Sequence, residues 1–319
     1  MSFHWMRRAL LALAPAVLLL LGGCGSGTIE SQLKPTRMVV FGDALSDLGQ
    51  TGTRYTVNDG SISIWTEQVA SSYGLVLTTA AAGGTSFATG NARINTKPDA
   101  AGNAATPTVK EQIDTFLATG GVFGPNDLIV VSGGTSDLIA EMAKVSSGAQ
   151  TQAQMVANVT QAGRDLAAQV RRVVGAGGTH VVVVGTYQLG RSPWANQIGQ
   201  ADFLNSASIS FNDALLVSMV DLGANVLFVD VALEVNLMVA SPSSFGISNV
   251  TDPVCTSIDP GPGIGTGPGQ VNSALCTPAT IASGTVTYDE YAFVDRVYLT
   301  PNAQRQFGLF AFARIHDRF

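Results

Sequence analysis

Four short runs of apolar, mostly β-branched residues recur along the chain, each ending in small or polar residues. Met38-Val39-Val40-Phe41 leads into Gly42-Asp43, Leu128-Ile129-Val130-Val131 into Ser132-Gly133-Gly134, Val181 to Val184 into Gly185-Thr186, and Val226-Leu227-Phe228-Val229 into Asp230. None alternates with polar positions, which is the pattern of strands covered on both faces. Between the runs the apolar spacing turns helical: Ile64 to Ala70, Val109 to Leu117, Gln152 to Val174 and Ala201 to Leu222. A last helix is predicted from Pro301 to about His316, with Thr300 as N-cap and proline at the first helical position. Short strands separated by long helices predict a mostly parallel central sheet in a three-layer α/β/α sandwich, whose ligands sit at the carboxyl ends of the strands. The stretch 241–290 carries neither period and is expected to form loops and short strands at that edge.

The amino terminus follows a different rule. Arg7 and Arg8 precede an apolar stretch of 13 residues, Ala9 to Leu21, followed by Gly22-Gly23-Cys24. A membrane span needs about 20 residues, so this length suits the core of a signal peptide. The end of the run resembles the lipobox of bacterial lipoproteins. That likeness implies a signal peptide over 1–23, a diacylated Cys24, and a polar tether over 24–35. The implied partner is a bacterial membrane, reached through acylated Cys24. Gly25 after the cysteine implies the periplasmic face of the outer membrane. Several acyl chains hold a protein durably where one would be marginal. Export leaves Cys255 and Cys276 as a pair in an oxidising compartment, expected to close a disulfide over a Gly- and Pro-rich segment, with two separate buried thiols as the alternative. A net charge of −6 with only 13% charged residues argues against nucleic acid as a partner. No CxxC pair is present, and no cofactor or metal is called for.

Within the remaining chain, Phe41-Gly42-Asp43-Ala44-Leu45-Ser46-Asp47-Leu48-Gly49 closely resembles the first block of the GDSL or SGNH esterases and lipases. Phe87 to Arg93 is similar to the second block, Gly134-Thr135-Ser136-Asp137 stands where the family has GxND, and Leu189 to Trp194 resembles a loop of the larger members. Phe293 to Pro301 stands at the terminal DxxHPT block. These collinear blocks cover about 36–317 and imply an SGNH-hydrolase-like domain over 36–319. The resemblance implies a catalytic serine at position 44, an orienting carboxylate at Asp295, a histidine at position 298, and oxyanion donors at Gly90 and position 136.

Three of those positions depart from the pattern. Ala44 has no atom that can attack an acyl carbon. Tyr298, a phenol with an ordinary pKa near 10, replaces an imidazole matched to neutral pH. Ser136 replaces the asparagine. His4 would leave with the signal peptide, His180 precedes a strand at the wrong edge, and His316 lies far along the last helix. Ser46, Asp43 and Asp47 are read as hydrogen-bonding residues of the turn, and Asp137 as a helix-start residue. The expectation is a lipid-anchored envelope protein, catalytically inactive, whose old cleft still binds a small acyl, glycan or peptide ligand. The alternatives are an active hydrolase of carboxylic esters in lipids or acylated glycans, and a structural protein whose cleft is filled.

Overall fold

A computed structural model describes residues 31, 33–285 and 287–319. The signal peptide, Cys24 and all but the end of the tether lie outside the described residues. The four apolar runs form strands β1 (Arg37–Phe41), β2 (Asp127–Ser132), β3 (Val181–Val184) and β4 (Val226–Phe228), paired in parallel in that order. The register sets Phe41 beside Val131, Ser132 beside Val184 and Val183 beside Phe228. Every residue of β2 and β3 is buried, which accounts for the absence of polar alternation. Outside β1, the Val40 amide donates to Thr85 O and the Phe87 amide to Val40 O, so the segment before Gly90 is drawn along the sheet edge.

Helices α1 (Trp65–Ser72), α2 (Val109–Ala118), α3 (Thr135–Ser146), α4 (Gln152–Gly175), α5 (Pro193–Gln197), α6 (Ala201–Val217), α7 (Val231–Ala240) and α8 (Pro301–Arg318) flank the sheet. Their starts obey local chemistry. Thr108 and Glu111 form a reciprocal capping box on α2, Thr151 and Gln154 do so on α4, and Thr300 caps α8 ahead of Pro301. Helix α4 buries Met155, Val159, Leu166, Val170 and Val173 along one stripe and packs on α6. Gly163 makes that approach possible: a Cβ there would stand 2.3 Å from the Phe211 carbonyl. On the other layer, α1 packs on α8.

The predicted helix over 201–222 ends early, at Val217. Met219 turns inward and is buried, Arg171 donates to the Ser218 carbonyl, and a 3-10 turn at Val220–Leu222 leads into β4. The stretch 241–290 supplies short pieces as expected: β5 (Asn249–Pro253), a small antiparallel pair of β6 (Ile258–Asp259) and β7 (Gln270–Val271), and 3-10 turns. Strand β8 (Tyr291–Phe293) pairs with β5 in parallel. Cys255 and Cys276 form the disulfide, with Cα atoms 5.9 Å apart.

Candidate active site

The end of β1 positions the first block. Gln112 grips Gly42 on both sides, accepting from its amide (2.8 Å) and donating to its carbonyl (2.9 Å). Asp43 Oδ1 then caps the 3-10 turn Ala44–Ser46 by accepting from the Leu45 amide. Ser46 is a buried tie, 2.8 Å from Ser132 Oγ and accepting from the Trp65 indole at 3.1 Å. Asp47 gathers the following loop: one oxygen accepts from the Gly49 and Gln50 amides, the other from the Gly90 amide at 2.7 Å. The N–H matched to an oxyanion donor is therefore already engaged by this carboxylate.

Asp295 is equally committed to the backbone. Its Oδ1 accepts from the Val297 and Tyr298 amides at 2.7 and 2.6 Å, and Oδ2 accepts from the Ser273 amide at 3.1 Å. This folds the terminal block into a turn that sends Tyr298 inward. Tyr298 meets the Tyr55 ring edge-on, with centroids 5.4 Å apart. Tyr55 in turn covers Gly90 so closely that a Cβ on Gly90 would stand 2.1 Å from its ring. The Tyr298 hydroxyl has Ser136 beside it, without a well-formed bond, and feels the charges of Asp43 and Asp295. Burial pushes this phenol well above its ordinary pKa, and Asp43 adds to the effect. It holds its proton at any physiological pH and cannot act as a base.

Asp43, Ser136, Asp295 and Tyr298 are thus gathered at one centre at the carboxyl ends of the strands, with Ala44 next to Asp43 and Gly90 joined through Tyr55. This centre is closed. Ala44, Ser136 and Asp295 are 0% exposed and Tyr298 1%. The rings of Tyr55 and Tyr298 pack together at these positions, where an open cleft was expected. A groove of about 490 Å³ adjoins the Gly42–Gln112 clasp and is lined by Gln50, Ala80, Ala81, Phe87, Thr89 and Pro107 among others.

The closed centre keeps unmet polar atoms. Asp43 Oδ2, Ser136 Oγ and Tyr298 Oη are buried without partners. Burial pushes the Asp43 carboxyl up to about 6, against the lowering effect of its backbone bonds. A carboxyl raised in the folded state favours folding at low pH, and that contribution fades as pH rises from about 4 to about 6. Asp43→Asn should therefore gain up to roughly 3 kcal/mol on wild type between pH 4 and pH 7. Urea unfolding at pH 4, 5, 6 and 7 measures this; a difference between the two proteins that does not vary with pH would contradict it.

The two histidines among the described residues stay apart from the centre. His180 precedes β3 and packs its ring on Phe319, and His316 lies near the end of α8 beside Phe312. Asp137 is in the first turn of α3, but its carboxylate serves Arg93 Nε and the Ile94 amide, both at 3.1 Å. Arg93 also reaches Glu141 at 2.8 Å, and these three side chains floor a polar cavity of about 260 Å³. Tyr55 and Glu141 lie outside the resembling blocks, and Arg93 closes the second block with no role assigned to it by the sequence. Among the described residues no group of three or more His, Cys, Asp or Glu is arranged to hold a metal ion.

The family model described as GDSL-like lipase/acylhydrolase matches residues 38–309. No curated protein matches the chain. One solved crystal structure, 13% identical, covers 89% of this chain and 98% of its own with a TM-score of 0.44. With the family model matching from the first residues of β1 to well within α8, the chain belongs to the GDSL-like lipase/acylhydrolase family.

Proposed function

We propose that this protein is a lipid-anchored member of the family, held at the bacterial cell envelope through acylated Cys24, that binds an acyl ligand and does not turn over esters as a serine hydrolase. The observation that carries this reading is the pair Ala44 and Tyr298: a methyl group at the nucleophile position, and a buried, protonated phenol at the base position. Stabilising donors produce acyl transfer only with an attacking group, and here the Gly90 amide is also spent on Asp47. Binding then moves away from the closed centre. The neighbouring groove, with Ala80, Ala81, Phe87 and Pro107 in its wall, favours a hydrocarbon chain over a glycan or a peptide. The basic start, short apolar core and Cys24 support the anchor and the periplasmic face of the outer membrane as its place.

One experiment addresses binding and cleavage together. Purified mature protein carrying cis-parinaric acid is titrated with p-nitrophenyl laurate while absorbance is followed. The ester should displace the fluorescent acid and remain intact. Protein-dependent release of p-nitrophenolate would favour an active ester hydrolase using other groups; no binding of either compound would favour a purely structural protein.

A further inference from the structure

We infer that the edge of the sheet formed by the amino ends of its strands is a phospholipid-facing surface. It seats the anchored domain with its closed centre turned away from the bilayer. The inference rests on the lipid anchor proposed above.

In a parallel sheet with crossover helices, every helix-to-strand connection falls at the amino edge. Among the described residues, the four most exposed large apolar side chains are all in such connections or at the helix end that enters one. They are Val76 (90% exposed) after α1, Val122 (72%) between α2 and β2, and Val217 and Val220 (75% and 80%) between α6 and β4. Scattered exposed valines need no explanation, but four gathered on one edge do. Direct bonds tie the edge together: Arg37, at the start of β1, donates to the Val122 carbonyl, and Arg318 donates to Gly223 beside Val220. Next to Val217 and Val220 an apolar groove of about 380 Å³ opens, walled also by Leu216, Met219, Val226 and Phe228.

The tether leaves from the same place. The Leu33 amide donates to the carbonyl of Phe319 at the end of α8. Leu33 lies nine positions after Cys24, a reach of at most about 32 Å. A bilayer holding Cys24 therefore lies within that reach of this edge.

Charge points the same way. Arg37 and Arg171 are paired with Asp127 and Asp221, while among the described residues exposed Lys34, Arg314 and Arg318 outnumber the exposed acid Asp317 beside them. A locally positive edge on a chain of net charge −6 complements anionic headgroups, and its valines can enter the headgroup boundary.

The test uses acylated mature protein in vesicles of phosphatidylethanolamine and phosphatidylglycerol, with an environment-sensitive nitrobenzoxadiazole label. The label is placed at Val122→Cys, at Val220→Cys, or at the control Gln197→Cys, an exposed residue at the end of α5 on the carboxyl edge. Brominated lipid should quench the first two labels about twofold, since side chains on such a surface reach roughly 5–10 Å into the boundary, and leave the third unchanged. Equal quenching at all three sites, or none, in protein proven by intact mass to be acylated would overturn the orientation while leaving the anchor in place. An unacylated mature protein would remove the anchor, and the orientation with it.

Discussion

Arg93→Met should destabilise the protein by roughly 3–5 kcal/mol, the cost of removing one partner from a buried ion pair and stranding the other. Arg93 is 7% exposed, and its partners Asp137 and Glu141 are 2% and 3% exposed. The guanidinium joins the segment just after Gly90 to the first turns of α3, so its loss is felt next to the closed centre. The two acids should respond differently. Burial alone would push Glu141 up, but Lys144 and Asn158 donate to it and Arg93 stands close, holding it down to about 2. Glu141 thus adds stability above its unfolded pKa, near 4.3, and that share is lost as pH falls towards 2. Asp137 has burial raising it, with Arg93 as its principal counterweight. Without Arg93 only the Ile94 amide remains to it, so adding Asp137→Asn should recover part of the loss. Urea unfolding at pH 7 measures both variants; an Arg93→Met protein within about 1 kcal/mol of wild type would place the pair among weak surface bridges.

Replacing both Cys255 and Cys276 with serine should cost roughly 3 kcal/mol, the loop-entropy value for a closure of this length. The bridge closes a separation of 21 residues that contains the Gly- and Pro-rich segment. Its consequences extend beyond entropy. The Asn58 amide donates to the Cys276 carbonyl, and the Ser273 amide donates to Asp295. The disulfide loop therefore supports the turn that directs Tyr298 inward. Thermal unfolding should shift downward, and hydrogen exchange at the Ser273 amide should rise ahead of the global transition. An unchanged midpoint in the double-serine protein would show that packing alone holds the loop.

The sheet was legible because its strands are doubly covered: an uninterrupted Val181 to Val184 has few other destinations. Capped helices were equally plain at Thr108, Thr151 and Thr300. Helix α7 was not, because Val231–Ala240 is nearly all apolar and continues from β4 with no polar stripe to mark a helical period. The block resemblance points to positions 44, 90, 295 and 298, and the chemistry of Ala44 and Tyr298 is what motivates the inactive reading. The closure of the centre was hidden. Tyr55 is one aromatic residue in a polar loop, and only the fold carries it across Gly90 to the Tyr298 ring. The role of Arg93 was hidden for the same reason, since its acidic partners lie 44 and 48 positions away. Asp47 was expected to serve its own turn, and the additional bond to Gly90 depends on the same long-range packing.

The central claim is that no activated serine exists in this protein, and reaction with a fluorophosphonate tests it most directly. Such a reagent forms a covalent adduct with a serine whose hydroxyl has been activated by a neighbouring base, whatever the natural substrate. Purified mature protein, treated with excess reagent and weighed intact, should retain its untreated mass, because Ala44 carries no oxygen, Tyr298 keeps its proton and Ser46 is bonded out of reach. A single stoichiometric adduct, abolished by prior unfolding, would contradict the account and require an active hydroxyl elsewhere in the fold.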